Sequence, residues 1–154
     1  MIFHVSIDAD QPAVVASTLA RIWACEAWPF PAVGKGSWFV VAGDARNSTI
    51  EVYPRGLELT RGGPGQQPQE VMAERPAARV AHHFATATPL TEAEVLAICA
   101  EQGWQAQRLS RGGMFDVIEV WIENRLMIEV LTAEMQAQYT SLQVPPPWKA
   151  MRAA

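Results

Sequence analysis

One order of elements occurs twice in this chain, and it restricts the fold more than any single motif does. Residues 2–8 alternate, with Phe3, Val5 and Ile7 on one face and His4, Ser6 and Asp8 on the other, as a half-buried strand does. Asp10 can cap a helix and Pro12 can sit in its first turn, after which Val15, Leu19, Ile22 and Trp23 recur at helical spacing. WPFPAVGKG (28–36) reads as a loop. SWFVVAG (37–43), STIEVYP (48–54) and GLELT (56–60) then read as strands. After RGGPGQQPQE (61–70) the order restarts. RVAHHFATAT (79–88) is a strand, and Thr91 with Glu94 forms a capping box that opens a helix carrying Val95, Ile98 and Cys99, with Gly103 as its stop. Strands near 105–109, 114–122 and 125–132 follow, the last two joined at Glu123-Asn124.

The expected fold class is therefore α+β, with two βαβββ modules whose curved mixed sheets surround a central cavity. The expected divisions are a first module at 1–60, a linker at 61–78, a second module at 79–135 and a C-terminal arm at 136–154, where VPPPW (144–148) lies extended over the surface. All of it forms one structural domain, since 154 residues suffice for one sizeable core. Net charge is −4 and no Lys/Arg cluster is present, which disfavours nucleic acid and anionic membrane as partners. No run approaches the roughly 20 apolar residues of a membrane span, and the start lacks the features of a signal peptide. A cytoplasmic protein is expected, with Cys25 and Cys99 as reduced core thiols.

Each half places one glutamate inside an apolar strand: Glu51 in TIEVYP and Glu129 in MIEVLT. A carboxylate there is costly to bury without a partner. Taken singly, each could lie on a solvated strand face. Each half also has a histidine in its first strand. His4 precedes Glu51 by 47 residues, His83 precedes Glu129 by 46, and His82 precedes it by 47. A strand that packs a helix needs apolar side chains one, three and five positions after an open-face histidine. His4 has Val5, Ile7 and Ala9 there; His83 has Phe84, Thr86 and Thr88; His82 has His83, Ala85 and Ala87. The bulk of Phe84 favours His83, and the spacing count favours His82. If first and last strands are neighbours, two histidines and two glutamates can meet at one centre suited to Zn²⁺, Ni²⁺, Mn²⁺ or Fe²⁺.

FHVSIDAD with TIEVYP, then AHHFATAT with MIEVLT, resembles the vicinal oxygen chelate superfamily, which includes glyoxalase I, bleomycin-resistance proteins and extradiol dioxygenases. The resemblance covers roughly residues 1–135. It implies His4, Glu51, His83 and Glu129 as metal ligands, with Glu51 or Glu129 also moving a proton next to a carbonyl. The implied function is a glyoxalase-like, metal-dependent lyase or isomerase acting on a small oxygen-chelating metabolite. The alternative is a metal-free small-molecule binding or drug-sequestering protein of the bleomycin-resistance type. Trp38, Tyr53 and Trp121 are candidates for an aromatic cavity wall, although core packing is the commoner role for each. Arg55 and Arg111 are candidate rim cations for an anionic substrate group. Glu119 and Glu123 are expected to face solvent or a partner. A homodimer is expected, with the strand at 115–122 as a contact.

Overall fold

A computed structural model describes residues 2–30 and 35–141. The proline-rich tail at 144–148 and part of the 28–36 loop lie outside the described residues. The first half contains β1 (His4–Ala9), α1 (Pro12–Trp23), β2 (Glu26–Pro29), β3 (Trp38–Val41) and β4 (Thr49–Pro54). The second contains β7 (Ala85–Ala87), α2 (Glu92–Glu101), β8 (Gln105–Ser110), β9 (Asp116–Ile122) and β10 (Leu126–Leu131), followed by α3 (Ala133–Ser141). Between the halves stand β5 (Leu57–Thr60) and β6 (Gln69–Met72). The fold is mixed α+β. Its two four-stranded sheets have orders β1-β4-β3-β2 and β7-β10-β9-β8, with the first two strands of each parallel and the rest antiparallel.

Strand alternation sorts every side chain onto one of two faces. On the helix-bearing face of the first sheet, Ile7, Ala9, Val40, Ile50 and Val52 are buried with Val15, Leu19 and Ile22 of α1. In the second sheet Ile118, Val120, Ile122, Ile128 and Val130 join the same core with Val95, Ile98 and Cys99 of α2. The opposite, open faces are left to polar groups. Burial pushes the Cys25 and Cys99 thiols up to about 11, so neither is a nucleophile at neutral pH.

Several stretches differ from the sequence expectation. Trp28 and Pro29, read as the start of a loop, end the strand Glu26–Pro29; it is an edge strand, where a proline removes no ladder bond that matters. Leu57–Thr60 does not join the first sheet. It pairs antiparallel with Gln69–Met72 in a separate ribbon, within the stretch read as linker. Gly56 starts this departure at φ +90, where a Cβ would sit 2.9 Å from Cγ of Pro76. Only Ala85–Ala87 of the expected strand at 79–88 is paired. Residues 133–141, expected to lead into an extended arm, form a helix. β9 lies between β8 and β10, so it is an interior strand and not a free contact edge.

The halves are fastened at the β9–β10 turn. Glu123 accepts the backbone N–H groups of Asp10 and Gln11, each at 2.7 Å. α1 has no side-chain cap of its own and no acidic residue in its first turn, so this distant carboxylate does that work. Glu123 is therefore engaged by the other half while remaining partly exposed. Glu123→Ala should lower unfolding free energy by about 1 kcal/mol, the usual worth of a cap; an unchanged urea midpoint would show that the cap contributes nothing.

Candidate functional site

The parallel pairing of β1 with β4 places Ser6 opposite Glu51 and Asp8 opposite Tyr53 on the open face. The alternation in HVSIDA and the apolar partners Ile50 and Val52 leave no other orientation, because the reverse register would bury three polar groups against α1. Ser6 Oγ donates to Glu51 Oε2 at 2.8 Å, and Tyr53 OH donates to the same oxygen at 2.5 Å. The two hydroxyls are themselves 3.5 Å apart. Burial, and next the Glu51 carboxylate, push the Tyr53 phenol above its ordinary range, so at neutral pH it is a hydrogen-bond donor and not a phenolate.

The segment leading into β7 runs beside this face. His82 lines a cleft of about 290 Å³ with Ser6, Asp8 and Tyr53, walled by Leu57, Leu59 and Val80. His4 and Glu51 line a neighbouring cleft with Phe30 and Phe39. His4 and His83 line a third, with Thr49 and Phe84. His4 and His83 thus reach a common seam, while His82 faces the Tyr53 side. All three imidazoles belong to exposed residues.

Glu129 has a different environment. On the open face of the second sheet it stands directly opposite Glu119, and like charges so placed repel. Arg111 resolves the conflict. Its Nε donates to Glu129 Oε1 at 2.8 Å and its Nη2 donates to Glu119 Oε2 at 2.9 Å, with Nη2 also in ion-pair contact with Glu129 Oε1 at 2.7 Å. Trp121 Nε1 donates to the other oxygen of Glu119 at 2.9 Å. Burial acts to raise the Glu119 carboxyl, but the bonds from Trp121 and Arg111 outweigh it and hold the group below its usual range. The same two carboxylates raise the Arg111 guanidinium, with Glu119 the larger influence. Arg111 is thus not a rim cation free for substrate, and Glu119 does not face solvent. Arg55 is likewise engaged, donating to Asp10 at 3.1 Å.

The residues expected to hold a metal do not form one centre. Glu51 is tied to Ser6 and Tyr53 and Glu129 to Arg111, and no three His, Cys, Asp or Glu side chains gather at one point among the described residues. The donor set has the right chemistry, yet as placed it does not fit a four-ligand metal site. Of the three aromatic candidates, Tyr53 and Trp121 are on open faces. Trp38 pairs with Val52 on the helix-bearing face and packs against the core.

Comparison with solved structures shows a shared fold. FosX, the genomically encoded fosfomycin resistance protein of Listeria monocytogenes, superposes with a TM-score of 0.54 at 12% identity, covering 90% of this chain and 97% of that one. Lactoylglutathione lyase of Agrobacterium tumefaciens gives 0.53 at 11%, covering 87% and 94%. The trypanothione-dependent glyoxalase I of Leishmania major gives 0.52 at 13%, covering 100% and 99%. A further FosX crystal contains Mn(II) with 1S,2S-dihydroxypropylphosphonic acid. No family model and no curated protein matches the sequence.

Proposed function

We propose that this chain, which has the vicinal oxygen chelate fold, is a glyoxalase-like lyase or isomerase that moves a proton on a small oxygen-rich metabolite through Glu51. The observation that carries the reading is the convergence of Ser6 and Tyr53 on one oxygen of Glu51, on an open face bordered by clefts. Glu51 is the base that takes a proton from carbon next to a carbonyl. The electron pair left behind flows to the carbonyl oxygen, and as Glu51 takes up the proton the hydroxyl protons of Tyr53 and Ser6 turn from its carboxyl to that oxygen as its charge grows. Returning the proton to the adjacent carbon completes an isomerisation; expelling a leaving group completes a lyase reaction. No step runs through a metal, because His4, Glu51, His83 and Glu129 as placed do not converge on one. Glu129 is not assigned as base, since Arg111 holds it.

The reaction is read by deuterium uptake at the α-carbon of 2-hydroxy and 2-oxo acids and thioesters in D₂O, with and without chelator. Uptake that survives the chelator and falls by about tenfold or more in Tyr53→Phe, the least expected from losing one hydrogen bond to a charged oxygen, supports the assignment. Uptake unchanged in Tyr53→Phe would remove the tyrosine from it. The apolar wall of Leu57, Leu59, Pro76 and Val80 supports the second reading, a sequestering protein for a ligand with an apolar portion. Such a protein would hold its ligand and exchange no proton. A cytoplasmic homodimer completes the proposal; it is supported by Leu59, Val71 and Met72, which are exposed on the ribbon. No helix among the described residues is long and apolar enough to cross a membrane.

A further inference from the structure

We propose that the Arg111 guanidinium occupies the place a divalent cation would take between Glu119 and Glu129, and so keeps metal out of the second sheet. The two carboxylates are on adjacent strands, directly opposite one another, with side chains only 13% and 12% exposed. Two anions so close and so dry demand a cation. In many proteins that cation is a metal ion bound by oxygen ligands. Here it is a guanidinium, supplied by the turn between β8 and β9 and spanning both carboxylates with the donors of one planar fork. The fork uses one oxygen of each carboxylate, and Trp121 takes the second oxygen of Glu119.

The equivalent place in the first sheet shows that this is a local device. There Glu51 has a serine and a tyrosine for hydrogen-bond partners and, among the described residues, no cation paired with it. The two repeats therefore treat their strand-centred glutamates differently. One is kept by neutral donors and can change partners, and the other is locked in an ion pair. This inference concerns the second sheet alone and does not depend on proton transfer at Glu51.

The test is titration of the full-length ¹⁵N-labelled protein with MnCl₂, reading the indole N–H peak of Trp121, assigned with Trp121→Phe. A Mn(II) ion between the carboxylates would broaden that peak through its unpaired electrons, while remote indoles would serve as internal controls. In the wild type the Trp121 peak should keep its intensity relative to those controls. In Arg111→Gln it should broaden selectively, with Mn(II) affinity higher by about tenfold or more, the least expected from removing a charged hydrogen-bonding competitor. If Arg111→Gln folds poorly alone, because two carboxylates then repel, Mn(II) should restore its far-ultraviolet circular dichroism and melting transition. Selective broadening in the wild type at less than one equivalent of Mn(II) would overturn the proposal. So would a folded Arg111→Gln whose Trp121 peak ignores the ion, or an unfolded one that Mn(II) does not rescue.

Discussion

Glu51→Gln is expected to lower the rate of α-proton exchange by about 10²-fold or more, the range that a positioned general base contributes. The substitution removes the basic oxygen and little else. A glutamine at this position keeps a carbonyl oxygen able to accept from Ser6 Oγ and Tyr53 OH, which now lie 2.8 and 2.5 Å from the carboxylate. The volume is nearly unchanged and the strand pairing with Ser6 and Phe39 does not involve the side chain. Stability should therefore be maintained while turnover falls, so a melting curve beside the exchange rate separates loss of chemistry from loss of structure. The loss should appear in kcat more than in KM, because the base is needed only as the proton leaves. A variant that exchanges protons at the wild-type rate would end the assignment of Glu51 as base. Undiminished ligand affinity in a protein that never exchanges would favour sequestration instead.

What the sequence discloses depends on how strongly each face is marked. In HVSIDA and TIEVYP, polar and apolar side chains alternate without a gap, so the open-face positions of Ser6, Glu51 and Tyr53 follow from parity alone. The capping box is equally legible: Thr91 Oγ1 accepts the N–H of Glu94, and the Glu94 carboxylate accepts the N–H of Thr91 at 2.8 Å. WFVV carries no polar residue to mark a face, and Trp38 falls on the core side. GLELT reads as a strand, but β6 and its pairing with β5 were hidden because the ribbon's residues are nearly all exposed, so no burial pattern betrays them.

The site in the second sheet was hidden by a register of one residue. A tight two-residue turn at Glu123-Asn124, alone, would set Ile122 opposite Arg125 and Glu119 opposite Ile128. Both turn residues do take positive φ, +50 and +54. Yet Ile122 is paired with Leu126, one position further, and this shift brings Glu119 against Glu129. Arg111 then follows from the geometry of a turn eight residues before Glu119, which no local pattern announces. The expectation of a metal rested on residue types and spacing, both correct as chemistry. At Glu129 a neighbouring arginine meets the same electrostatic demand.

Asp8→Ala is expected to destabilise the fold by about 3 kcal/mol, the low end of what breaking a buried ion pair costs. Asp8 Oδ1 accepts from Arg125 Nη2 at 2.7 Å, joining the end of β1 to the β9–β10 turn. The Arg125 side chain is 8% exposed, whereas that of Asp8 is 24% exposed, so the arginine is the partner left stranded. Among the described residues its Nε and Nη1 already have no partner, and Nη2 would retain only the backbone carbonyl of Asp8. The partial exposure of Asp8 lets water reach the gap and keeps the cost from rising further. Guanidinium chloride unfolding should show a lower midpoint with an unchanged m-value. Arg125→Met combined with Asp8→Ala should recover most of the loss, because an apolar pair removes the stranded charge. A loss in the double variant equal to the sum of the singles would mean that the two side chains do not act together. In that case the union of the two halves would depend on the Glu123 carboxylate and the shared apolar core.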